Sequence, residues 1–134
     1  MTKEDIDRLI EEEGDHERFE YRGLRCYIVR NPVLGFLMGY VEQLYFVDCD
    51  DAFEKLDVHG GVTFIGRIGE THYPVEQREK NVRVIGFDCG HIYDYIPKIE
   101  DRDAVYRDMR YVENECKRLA DQLLAIAEER EKDA

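Results

Sequence analysis

The chain is predicted to be α+β: a mostly antiparallel sheet of about four strands, a short N-terminal helix, and a long C-terminal helix packed on one face. Three observations predict it. Residues 3–13 carry a helical apolar spacing behind a capping pattern. Short alternating apolar runs, punctuated by Gly, Pro and Asn, fill the stretch from Tyr21 to Phe87. Val105, Met109, Val112, Cys116, Leu119, Leu123 and Ile126 then follow at spacings of 4, 3, 4, 3, 4 and 3, a heptad seam that only a helix presents on one side.

Taken in order, Thr2 and Asp5 can satisfy the free N–H groups at a helix start, and Ile6, Leu9 and Ile10 share one face, so a helix is expected to about Glu13, ending at Gly14. Residues 1–20 hold nine Asp or Glu against three Lys or Arg, which reads as a solvated acidic surface. Leu24, Cys26 and Ile28 alternate with Arg25, Tyr27 and Val29 in a first strand that Asn31-Pro32 ends. Phe36 to Leu44 is a second strand, with Gly35 and Gly39 marking a turn and a bulge or close approach, and the two form an antiparallel hairpin. Asp51 and Glu54 can cap a short helix through Leu56. Val62 to Arg67 is a third strand, residues 69–81 an exposed polar connection, and Val82 to Phe87 a central strand rich in β-branched residues. Asp101 or Asp103 is expected to cap a final helix of about 28 residues, roughly 42 Å long, against about 26 Å for an eight-residue strand. That mismatch predicts self-association through an uncovered stripe at Leu119, Leu123 and Ile126.

A length of 134 residues with 43% hydrophobic positions suits one domain with its own core. The formal charge of -12 argues against general binding to nucleic-acid backbones or anionic membranes. Four cysteines, at 26, 49, 89 and 116, form no CxxC pair, and with no secretory leader recognised a reduced cytoplasmic setting is expected. No apolar run approaches the roughly 18 residues of a membrane span. Asp48, Asp50 and Asp51 resemble the start of a calcium loop, but Phe53 stands where that loop needs Gly and His59 where it needs Glu.

The stretch from Asp57 to Asp94 carries the chemistry. Antiparallel pairing of the third and fourth strands brings His59 beside Asp88 and His91. Imidazole, thiolate and carboxylate are the donors of a zinc or other transition-metal site, so His59, Asp88 and His91, with Asp94, are candidate ligands of a divalent metal. Without metal, the same trio are candidate catalytic residues, a histidine acting as general acid or base oriented by Asp88 or Asp94. No nucleophile is marked: Thr63 is the nearest hydroxyl, and Cys89 needs a lowered pKa. The plain alternative is that His59 caps a strand edge and His91 closes a turn on a carboxylate. A small anionic, nucleotide-like ligand is expected only if Arg25, Arg67 and Arg83 converge on His59 and His91; its site then comprises His59, Thr63, Arg67, Arg83, Asp88, His91 and Tyr93. Tyr93, Tyr95, Phe64 or Tyr73 can stack on a ring.

The series YRGLRCYIV, GYV, VHGGVTF, VIGFDCGHIYD and YRDMRYVENECKRLADQL, spanning residues 21–124, resembles a widespread family of small uncharacterised phage and prophage proteins. Its members show HGG(L/V)T(Y/F), GFDC(A/G)H and YVxxECxxLAxQL segments, and residues 36–50 depart from the Gly-, Pro- and His-containing loop common there. The resemblance implies a phage-linked accessory role inside a bacterial cell and no particular activity. Three functions follow as expectations: a binding protein for a nucleotide-like ligand or a host factor, a metal-dependent hydrolase using His59, Asp88 and His91, or an acidic DNA mimic or protein-interaction module.

Overall fold

In the computed structural model, residues 1–44, 54–99 and 103–133 are described. Helix α1 spans Lys3–Glu13, and the expected cap is formed: the Thr2 hydroxyl accepts the Asp5 N–H at 3.1 Å and the Asp5 carboxylate accepts the Thr2 N–H at 3.1 Å. Five strands follow: β1 (His16–Tyr21), β2 (Leu24–Arg30), β3 (Leu37–Glu42), β4 (Phe64–Arg67) and β5 (Arg83–Asp88). They make one antiparallel sheet in the order β1-β2-β3-β5-β4, so β5 is flanked on both sides as its β-branched run predicts. The chain ends in α2 (Met109–Asp133), and the architecture is α+β.

The strand beyond the expected four is β1. Its sequence, HERFEY, alternates charge with aromatic, and read inside an acidic stretch it looks like surface. In the fold, Phe19 and Tyr21 turn toward α2 and pack on the core, while Arg18 and Glu20 are exposed and Glu17 is partly buried. Edge strands commonly carry such outward charge, which discourages pairing with another chain.

The sheet has two covered faces. Cys26 and Ile28 of β2, Leu37 and Val41 of β3, and Ile85 and Phe87 of β5 meet Met109, Val112, Cys116, Leu119, Leu123 and Ala127 of α2. The heptad seam is therefore a sheet-facing stripe. Leu119 and Leu123 are fully buried and Ile126 packs on the same cluster, so the stripe expected to drive dimerisation is covered within the chain. Helix and sheet approach closely enough that a Cβ on Gly39 would meet Phe87 and the Cys116 sulfur, which explains the glycine in β3.

The second face is covered by the connection between β4 and β5, expected to be a plain exposed loop. Two short 3-10 turns, Ile68–Glu70 and Gln77–Glu79, fold it back so that Ile68, Tyr73 and Val75 pack on Tyr27, Val29, Met38, Tyr40 and Val84. Glu79 locks it: buried at 8% exposure, its carboxylate accepts from the Tyr27 hydroxyl and from Arg18 Nε and Nη2 at 3.1 and 3.2 Å. These bonds, the Tyr27 hydroxyl first, hold the Glu79 carboxyl below its usual range against the opposing pull of burial.

α2 begins later than the sequence implies. Asp108, not Asp103, accepts the Tyr111 N–H at 2.8 Å, and Glu13 at the end of α1 accepts the Met109 N–H at 2.6 Å; Asp101, the other expected cap, lies outside the described residues. Val105 lies outside the helix, half exposed, in an isolated parallel bridge to Asp94. The capped helix has 25 residues. The acidic triplet at 48, 50 and 51, Cys49 and the first half of the expected helix near 51–56 lie outside the described residues.

Candidate functional site

β4 and β5 pair antiparallel with Phe64 opposite Gly86, and the Thr63 N–H reaches the Gly86 carbonyl at 2.9 Å, so the start of one strand lies beside the end of the other. That register brings His59 to His91, with ring centroids 6.1 Å apart. The chain gets there through Gly60 and Gly61, both left-handed, with φ of +69° and +83°. Gly60 has a second reason to lack a side chain: a Cβ there would collide with the His91 ring.

His59 is engaged on both ring nitrogens. Nε2 lies 2.8 Å from Asp94 Oδ2 and 3.0 Å from Oδ1, and Nδ1 lies 2.8 Å from the Tyr111 hydroxyl. Burial, then Glu115, raises the Tyr111 pKa, so the phenol keeps its proton; a neutral His59 therefore carries its hydrogen on Nε2, donating to Asp94 and accepting from Tyr111. Asp94, 5% exposed, also accepts from the His91 amide at 3.1 Å and from Arg107 Nε at 3.1 Å. Burial pushes its pKa up, but the bonds from His59, the His91 amide and Arg107 outweigh that, and the carboxyl sits below the usual range. Arg107 closes the circuit over the Tyr111 ring, 4.9 Å from its centroid.

A second set of bonds runs down α2. The His59 amide donates to Glu115 at 2.9 Å, and Arg118 holds Glu115 at 2.8 Å and Asp57 at 3.0 Å. Gln122 both accepts the Asp57 N–H at 2.7 Å and donates to its carbonyl at 2.8 Å. Tyr111, Glu115, Arg118 and Gln122 are spaced 4, 3 and 4, each directly before an apolar seam residue. That spacing was the sequence signal for this polar seam, and the habit of assigning polar helix positions to solvent hides it.

Of the predicted site residues, the fold gathers His59, His91, Asp88 and Asp94, but Asp88 is not the partner of His59. Asp88 points to the opposite sheet face from Phe87 and Cys89; its Oδ1 accepts the Gly90 N–H at 3.0 Å and lies 3.2 Å from His91 Nε2. That second approach is close enough for an ion pair with a protonated ring, yet the buried Nε2 makes no aligned hydrogen bond among the described residues. No three His, Cys, Asp or Glu side chains among the described residues are grouped to hold a metal ion. Cys89 is 1% exposed and its thiol pKa is pushed up by burial, then by Asp94 and Asp88, the reverse of a nucleophile's requirement.

The arginines stand elsewhere. Arg67 and Arg83 face each other at the far end of the β4–β5 pair, five residues along β5 from Asp88, or about 17 Å at a strand's rise. Arg67 contacts Glu70 at 3.3 Å and Arg25 contacts Glu42 at 3.7 Å. Thr63 lines an open cleft with Tyr40, Phe64 and Asp88. Tyr93 and its neighbour Ile92 point outward, 73% and 83% exposed.

Comparison of the chain with family models, with curated proteins and with solved structures finds no match. Among the described residues no helix is long and apolar enough to cross a membrane.

Proposed function

We propose that this chain is a phage-linked accessory binding protein that captures a host protein through the loop from Gly90 to Asp94. The observation that carries the reading is the contrast between that loop's base and its tip. At the base, Asp94 takes bonds from His59, the His91 amide and Arg107, while the Asp94 N–H returns to the His91 carbonyl at 3.0 Å. At the tip, two large apolar side chains, Ile92 and Tyr93, project into solvent. Tyr93 sits at φ +73°, a conformation that costs a non-glycine residue of order 1 kcal/mol or more and persists only where the surroundings enforce it. The Val105 N–H to the Tyr93 carbonyl, at 2.8 Å, is part of that enforcement. Rigid, exposed aromatic and aliphatic anchors lose little entropy on docking and dominate protein interfaces.

In this reading the histidine cluster is the scaffold of a recognition loop. A catalytic His59 would need a ring nitrogen free for substrate, and its two are spent on Asp94 and Tyr111. A nucleotide-like ligand would need the arginines that lie about 17 Å away. The phage link rests on the motif series at residues 21–124 alone.

The test is affinity capture from a bacterial host lysate with the wild-type chain and an Ile92→Glu/Tyr93→Ser variant, compared at matched melting temperature. A host protein held by the wild type and lost from the variant supports the proposal. Equal capture by both would remove the loop as the contact.

A further inference from the structure

Two histidines play no part in the loop. His16 opens β1, opposite Val29, and His72 lies on the connection covering the second sheet face. The fold brings both to a cleft of about 540 Å³ assembled from four separate segments, with Pro32, Pro74 and Pro97 in its walls beside Val29 and Val33. Lys98 stands at its edge, and Arg30 lies in its floor. The parts are fixed in place. Pro97 packs against Gly35, whose φ of +91° and missing Cβ admit it. The His16 ring meets Tyr73 edge-on at 5.8 Å, and Tyr73 in turn meets Tyr27 at 5.0 Å, which holds the residue next to His72 in the second core. Arg30 donates to the Gly35 and Gly14 carbonyls and to Tyr106, and its Nε to Asp15. Its charge is thereby offset by Asp15 and by Glu13 at 3.6 Å, and its N–H groups are committed.

Among the remaining polar groups of the cleft, each imidazole offers one N–H in its neutral form and Lys98 an ammonium, while Asp15 is paired through Oδ1 with Arg30 and the Asn31 oxygen accepts the Val33 and Leu34 N–H groups. In a chain of charge -12 this is an unusual local balance, and the rigid apolar walls give a ligand somewhere to place a flat body. We propose that this cleft binds a small anion with a flat apolar body, such as an aromatic carboxylate, its charged end taken by Lys98 with His16 and His72 and its ring laid against the prolines and Val33. The site is independent of the Ile92–Tyr93 loop.

The experiment follows the four imidazole resonances of the full chain, labelled in histidine, during titration with sodium benzoate. Saturable shifts at His16 and His72, with His59 and His91 unmoved, are the expected result. Lys98→Gln, an exposed change that spares the core, should weaken binding about tenfold, the worth of one charge-assisted contact. His72→Gln should weaken it as well. Sodium acetate, the charge without the body, and benzyl alcohol, the body without the charge, should each bind far more weakly. Phenyl phosphate separates the sources of the anion: tighter binding than benzoate names a phosphate monoester, weaker binding a carboxylate. Non-saturating drift of all four imidazoles, or benzyl alcohol binding as well as benzoate, overturns the proposal.

Discussion

His59 Nε2 stands 2.8 Å from Asp94 Oδ2, joining positions 35 residues apart at the base of an exposed loop. Because Asp94 is buried and ionised, the pair matters more to stability than a surface contact does. His59→Ala removes one of the three donors to Asp94 and leaves Tyr111 unpartnered, and it should cost about 2 to 4 kcal/mol in a denaturant titration. His59→Gln, which can still donate to Asp94, should recover part of the loss. Loss of under 0.5 kcal/mol would show that the network does not brace the fold.

Two carboxyls set opposite pH trends. Asp94 has a folded pKa below its unfolded one, so its contribution is complete above the unfolded value of about 4 and is lost as pH falls from there through the lower folded pKa. Glu17 is raised from 4.5 to about 7 by burial and by Glu113, with Lys117 opposing. Its folded state holds the proton more tightly, so its contribution is greatest below 4.5 and is lost as pH climbs to 7. Glu17→Gln should therefore raise the melting temperature relative to wild type more at pH 8 than at pH 5. A difference that does not change with pH would contradict the burial of Glu17 beside Glu113.

Gly60 and Gly61 are both left-handed, but only Gly60 abuts a side chain. Gly61→Ala should cost about 1 kcal/mol from backbone strain, and Gly60→Ala about 2 kcal/mol more from collision with the His91 ring. A double-mutant cycle with His91→Ala isolates the collision: the Gly60→Ala penalty should shrink toward that of Gly61→Ala. Additive costs would mean that the ring is not the obstacle.

Cys26, Cys89 and Cys116 are all buried, with thiol pKa values raised by burial, that of Cys26 to about 12. Iodoacetamide at pH 8 should leave these three unmodified in the folded chain and modify them in denaturant, as read by peptide mass spectrometry. Rapid native labelling of Cys89 would reopen its reading as a nucleophile.

By itself the sequence determined what is local: the Thr2 cap, the alternation of the strands, the β-branched centre of β5 and the apolar seam of α2 from Met109 onward, because periodicity and capping are properties of neighbouring residues. The hairpin logic extended this one step, predicting that His59 and His91 meet. Tertiary structure alone decided the rest. It made β1 a strand by giving Phe19 and Tyr21 a helix to pack on, and it chose Asp94 over Asp88 for His59 because pleating turns Asp88 to the other face. It also placed Arg67 and Arg83 at the far end of their strands and brought His16 and His72 to one cleft. Each of these depends on which atoms come within about 3 Å across tens of residues, a distance that no local pattern encodes.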